Sequence, residues 1–537
     1  MTKLHPQRFL GSTLVLAGLS LAAGCAFLLD TDELKEGTGA STGGSGGTGG
    51  SAGQGGSAGE AGGTGGAGAA GAAGIGGSAG AAGTGGEPPR ACTDVEGLFE
   101  CMEAPEDDPC TKDWCEDGFC KRAVHVGQGL VPEGAALRVL KDQQEIGPLS
   151  LETDNANFYL GFWARQTVGQ AAKLFLRRHD ANPSTTTIAR TLDQVHSNLT
   201  TFYSSPALAP TTGGLRVAVA ARSGSQDGMH LMTLKASDLT AQGAPERIDF
   251  GSYDQFPSLV TAPRIGVHGT EQIVIWTFEG NILLREWTGS DINFFGLGAD
   301  DDVTNLVPIN GATTQPFGAV VEAAVGTSEK LMVWKEGEAS LSKEFDIASG
   351  ARLGLAIAPM EPAAGTQFAN LVAWAHVDDS GVASLKLGAA VCGGTDCTAQ
   401  TFQAPGIVAT EGMRPALDIS REDASINLRR VALLYAAHGK DAVEPKAVSA
   451  LVLNLFQLDM SELEAETPFQ ELPYNPPVSL VTEPDLDAPA DPLQSPFRST
   501  AIAITPGGAI MMAWVYQEEA GPASLWIRRY RLDACTP

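Results

Sequence analysis

Nine cysteines and eight histidines are the residues of this 537-residue chain best suited to chemistry. Five cysteines crowd together: Cys92, Cys101, Cys110, Cys115 and Cys120. Cys392 and Cys397 flank a Gly-Gly turn, Cys535 stands near the end, and Cys25 stands apart near the start. A structural zinc site would need Cys-x-x-Cys pairs or a histidine at ligand spacing, and the cluster has neither. The histidines are scattered with no i,i+4 pair, so His179, His230, His268, His376 and His438 are expected at the surface or at strand ends. Asp300-Asp301-Asp302 offers oxygens to calcium but lacks alternation and a turn glycine, so a solvated loop is expected. Asp485, Asp487 and Asp491 are read the same way. Gly43-Gly44-Ser45-Gly46-Gly47 fits the G-x-S-x-G nucleophile pattern without the strand before it and the helix after it. The sequence therefore assigns no catalytic residue, no metal ligand and no cofactor.

The amino terminus sets the compartment. A basic stub with Lys3 and Arg8 leads into an apolar run from Phe9 to Ala23, and small residues precede Cys25. A charged region, a short apolar region and small residues make an export signal. The run is short of the roughly 20 apolar residues that span a bilayer. Leu21-Ala22-Ala23-Gly24-Cys25 resembles the lipobox of bacterial lipoproteins. The resemblance implies that residues 1–24 are removed and that Cys25 becomes the first mature residue, carrying lipid. Ala26 after the cysteine favours the outer membrane or cell surface by analogy; secretion or a periplasmic location is the alternative.

Removing Cys25 leaves eight cysteines in an exported chain, where disulfides are the default. Cys392-Gly-Gly-Thr-Asp-Cys397 reads as a local hairpin clip. Five cluster cysteines and Cys535 remain, so one long-range bridge is expected. Residues 25–90 form a tether. Gly37 to Gly86 is almost only Gly, Ala, Ser and Thr and has too few apolar side chains to offset ordering entropy. Residues 91–124 form a cysteine-rich module. Cys110-Thr111-Lys112-Asp113-Trp114-Cys115 with Gly118-Phe119-Cys120 resembles the short C-T-x-D-x-C repeat of slime-mould and myxobacterial secreted proteins. That likeness implies a disulfide-knit spacer and a myxobacterium-like source. The net charge of −28 repels phosphate backbones, so nucleic acid is excluded as a partner. The membrane link is the lipid alone.

From residue 125 to 537 the texture is short apolar strands broken by Gly, Pro, Asp and Asn, an all-β pattern. Strands ending in an aromatic, or in Ala221 once, recur at Trp163, Ala221, Trp276, Trp334, Trp374, Tyr435 and Trp514, spaced by about 58 residues on average. Each is preceded by a short strand, as at Pro206-Ala207-Leu208, Pro257-Ser258-Leu259 and Pro415-Ala416-Leu417, and followed by another. Three or four strands repeated about seven times predict a β-propeller of about seven blades; tandem β-sandwiches are the alternative. The aromatic marks are then packing between blades. Residues 135–141 are expected to complete the last blade beside residues 524–532. An acidic, proline-rich insertion near 461–496 is expected as a strandless loop. No Trp-Asp signature, sialidase box or kelch Gly-Gly pair assigns the ring to a named family, and fold alone does not give function. The expected role is binding or scaffolding at the envelope, with a surface protein or polysaccharide as ligand. The alternative is an exported polysaccharide hydrolase or lyase with carboxylates in the central funnel.

Overall fold

Runs that alternate by two present an apolar residue to each face of a strand, so each sheet needs a neighbour on both sides. The computed structural model describes most residues between Thr111 and Cys535, apart from intervals such as 250–262, 403–411 and 483–496. The chain divides into two units, Met1–Thr84 and Gly85–Pro537, and every described residue belongs to the second. The export signal, the tether, Cys25, Cys92, Cys101, Cys110 and Pro257-Ser258-Leu259 lie outside the described residues.

Among the described residues there are seven antiparallel sheets of four or five strands, and a separate hairpin of Thr111–Glu116 with Phe119–Val124. The fold is an all-β propeller of seven blades. Their innermost strands, in order, are Ser150–Thr153, Ala207–Thr211, Arg264–His268, Asp301–Ile309, Ala351–Met360, Gly412–Ile419 and Phe497–Ile504. Each lies beside the next, and that of blade 7 lies beside that of blade 1. Among the described residues the sheets thus form a ring, each packed against the one before it and the one after it.

The period-2 pattern is used on both faces. In blade 2, Val217, Val219 and Ala221 pack toward blade 1, whereas Ala218 and Ala220 pack toward blade 3. In blade 7, Met511, Ala513 and Val515 meet Phe158, Leu160 and Phe162 of blade 1, and Ile510, Met512 and Trp514 turn the other way. The aromatic marks fill these interfaces: Trp276 packs on Ala218 and Ala220, and Trp374 packs on Val320 and Val333. A one-residue slip in any strand would exchange the two sets, so the pattern fixes register.

The last blade is completed from the start of the domain. Its own strands are Phe497–Ile504, Ala509–Tyr516 and Ala523–Cys535. Two earlier segments, Gly127–Pro132 and Leu137–Gln143, both pair with Ala523–Cys535, with Leu130 opposite Leu532 and Leu137 opposite Ile527. The expected closure by residues 135–141 is therefore present, and a second strand extends it. Glu133 strengthens the seam: its N–H donates to Arg529 O at 2.9 Å, and its carboxylate meets the Arg529 guanidinium at 3.3 Å.

Two sequence expectations need correction, and one mark sits differently from the rest. Trp334 lies on the third strand of its blade, Ser328–Lys335, whereas the other marks lie on the strand next to the innermost one; in blade 4 that strand is Gly318–Val325. Both are alternating apolar strands. The counterpart of Trp374, which lies opposite Leu355, is Val321, which lies opposite Leu306. Next, the acidic insertion is not strandless: Phe469–Glu471 and Val478–Thr482 both pair with Ala447–Asp459 at the outer side of blade 6. The remainder of 461–496 lies outside the described residues. Finally, Asp301 and Asp302 begin a strand, opposite Val325 and Ala324, instead of forming a loop.

Candidate functional site

Six innermost strands break or bulge near their beginning. The interruption lies between Ile146 and Ser150 in blade 1 and between Phe202 and Ala207 in blade 2. It falls at Val303/Asn305, Arg352/Gly354, Met413/Ala416 and Phe497/Ser499 in blades 4 to 7. Bulges bend a strand and free backbone groups from the ladder. Here the freed groups bond to the next blade. Ser205 Oγ donates to Pro148 O at 2.6 Å, and Leu149 N donates to Ser499 Oγ at 3.3 Å. Thr500 Oγ1 donates to Arg414 O at 2.6 Å, and an Arg414 guanidinium nitrogen donates to Arg498 O at 2.8 Å. Gly354, at φ +136°, lies so close to Arg414 that an added Cβ would stand 2.9 Å from the Arg414 Cα. A polar belt thus runs from blade 6 through blades 7 and 1 to blade 2, and a close backbone approach joins blade 5 to it.

Inside this belt the seven innermost strands enclose an axial cavity of about 250 Å³. Most of its lining residues are apolar by type, but their side chains pack between blades, as Leu151, Leu208 and Ile502 do, and the surface turned to the cavity is mostly polar. Charge enters at three points: Glu152 from blade 1, Arg264 from blade 3 and Asp418 from blade 6. Asp418 Oδ2 accepts from Ile504 N at 2.8 Å, so part of that carboxylate ties blade 6 to blade 7. Gln272, also on the lining, accepts from an Arg216 guanidinium nitrogen at 2.9 Å. Desolvation lowers Arg264 from the ordinary arginine value, and the Glu152 carboxylate opposes that shift. Among the described residues no hydrogen bond or ion pair holds the Arg264 guanidinium. Burial likewise lowers Arg414, with the like charge of Arg498 acting in the same direction.

The residues singled out in the sequence meet different fates. Cys392 lies directly opposite Cys397, and Cys115 directly opposite Cys120, each pair one step in from a two-residue turn. Cys535 lies opposite Gly127 on the closing strand. His179 and His230 are not at the surface: both are buried within strands, at 3% and 2% exposure. Burial and the charges of Arg177 and Arg529 push His179 down to about 3; burial pushes His230 down to about 4. Among the described residues no group of three or more His, Cys, Asp or Glu could hold a metal ion. Asp485, Asp487 and Asp491 lie outside the described residues. Arg264 was missed, because one arginine opening a short strand carries no local signal of standing on a ring axis.

No protein-family model and no curated protein matches the chain. Among solved structures it is similar to a protein of unknown function from Dyadobacter fermentans, at 10% identity and a TM-score of 0.37, covering 74% of this chain and 99% of that one. It is also similar to the Dos1 propeller, at 9% identity, a TM-score of 0.35 and coverage of 73% and 95%. An α-L-arabinofuranosidase from Podospora anserina, solved with cellotriose, is similar at 10% identity, a TM-score of 0.28 and coverage of 62% and 91%. At these identities the likeness concerns the fold alone.

Proposed function

We propose that this chain is a lipid-anchored envelope protein, attached through Cys25, whose propeller is a binding module for a surface protein or polysaccharide and engages its ligand at the axis. The observation that carries the binding reading is the axial cavity: seven strand edges converge on one space whose surface is mostly polar and holds few, separate charges. Fixed polar groups around a concave site set a ligand's orientation. The lipobox-like Leu21–Cys25 and the Gly-rich tether support the envelope location. A tether of about fifty such residues spans roughly 40 Å, enough to lift the ring off a membrane.

A second reading draws on Glu152 and Asp418, two carboxylates lining one cavity, as a polysaccharide hydrolase or lyase would require. Asp418 serves this reading less well because one of its oxygens is committed to Ile504 N. Incubating the full-length protein with insoluble polysaccharides, and assaying both retention and released reducing ends, separates the two. Retention without cleavage is expected. Cleavage lost in Glu152→Gln would replace binding by catalysis.

A further inference from the structure

Arg264 is the outlier of the axial cavity. The protein carries a net charge of −28, yet it lines the cavity with an arginine that makes no hydrogen bond or ion pair among the described residues. Arg264 is half-buried, and a guanidinium drawn partly out of water without a fixed partner is placed to take an oxyanion in its planar fork. Glu152 attracts Arg264 electrostatically across the cavity but does not reach ion-pair contact with it. Asp418 is oriented elsewhere, toward Ile504 N. The fork is therefore open toward a cavity of about 250 Å³, a space for about eight waters at ~30 Å³ each. That size suits a small molecule. The net charge of −28 disfavours polyanions, whose many charges would meet the whole protein's field.

We propose that the axial cavity binds a small molecule through an oxyanion, a carboxylate or a phosphate, held by the Arg264 guanidinium. The mostly polar surface of the cavity would meet the ligand's uncharged body with hydrogen-bonding groups. This deepens the axial binding reading above and rests on it.

The test uses the full-length protein with D-glucuronate, inorganic phosphate and uncharged D-glucose as calorimetric probes. Wild type is expected to bind at least one anion about tenfold or more tightly than glucose. Arg264→Gln should abolish that preference, and Arg264→Lys, which keeps the charge without the fork, should fall between. Glu152→Gln should tighten the anion, because a competing carboxylate is gone. Glucuronate binding without phosphate binding assigns a carboxylate, and the reverse a phosphate. If Arg264→Gln fails to fold by circular dichroism, the lysine and Glu152→Gln variants carry the test. Equal binding of anion and glucose, no anion binding by wild type, or anion binding unchanged in the Arg264 variants overturns the proposal. Retention on polysaccharide that survives in Arg264→Gln would leave the binding module standing and remove only the anion site.

Discussion

Leu149 N donates to Ser499 Oγ at 3.3 Å across 350 residues of sequence. The bond joins the broken inner strand of blade 1 to the bulge of blade 7, where the ring closes. Around it Leu525 and Ile527 of blade 7 are buried against Phe158 and Leu160 of blade 1. The polar contact is one of several at the seam, and the apolar contacts outweigh it. Ser499→Ala is expected to cost about 1 kcal/mol or less, and Leu525→Ala about 2–5 kcal/mol, in urea unfolding. A larger loss for the serine than for the leucine would contradict this ordering.

Glycine is required where the inner strands approach a neighbour. A Cβ at Gly147 would stand 2.1 Å from Trp163 Nε1, a side-chain atom that could move. At Gly354 the Cβ would meet the Arg414 backbone, and φ is +136° as well. Gly354→Ala is therefore expected to lower thermal stability more than Gly147→Ala, both by about 1–3 kcal/mol or more. Trp163→Leu should rescue Gly147→Ala, while Arg414→Ala should not rescue Gly354→Ala, since the clash there is with main chain.

Acid should destabilise the ring before carboxylates titrate fully. His230 is pushed down to about 4 by burial, facing Arg247 and His196, and His179 to about 3 beside Arg177 and Arg529. The unfolded chain protonates both near pH 6.5, whereas the folded chain resists. Stability is thus complete above about 6.5 and falls as pH drops toward 4, by about 3 kcal/mol for His230 alone. Urea unfolding between pH 7 and 4.5 measures the slope. His230→Gln should flatten it; an unchanged slope would remove His230 as its source.

Two hairpins place cysteines face to face at the same step from a two-residue turn, Cys115 with Cys120 and Cys392 with Cys397. The pair closing such a turn exchanges hydrogen bonds, so the next pair is of the non-hydrogen-bonded kind, about 4.5 Å between Cα atoms, within disulfide range. Nonreducing peptide mapping of exported protein is expected to find both bonds. The Cys392–Cys397 loop should contribute about 2 kcal/mol. Free thiols at both positions would rule out that clip.

Lipidation of Cys25 predicts a mature amino terminus at that residue with an added diacylglycerol mass. Intact mass spectrometry of membrane-derived protein measures it. Cys25→Ser should appear in the soluble fraction, and a start without modification anywhere after Cys25 would end the lipoprotein reading.

The all-β pattern and about seven repeated units were legible in the chain because alternation is local: each residue chooses a face by its own parity, and the spacing of units repeats along one dimension. The closing strand was legible for the same reason, as an apolar segment left over before the first repeat. What the tertiary structure decided is what meets what. Trp334 and Val321 exchange roles because two alternating strands look alike until the ladder pairs them. His179 and His230 are buried within the ring, near Arg529 and His196 from other strands, which nothing in their flanking residues records. Arg264 and Glu152, 112 positions apart, face one cavity only because two inner strands converge on the same axis. That convergence depends on bulges and on neighbouring sheets, and both are set by contacts far away in sequence.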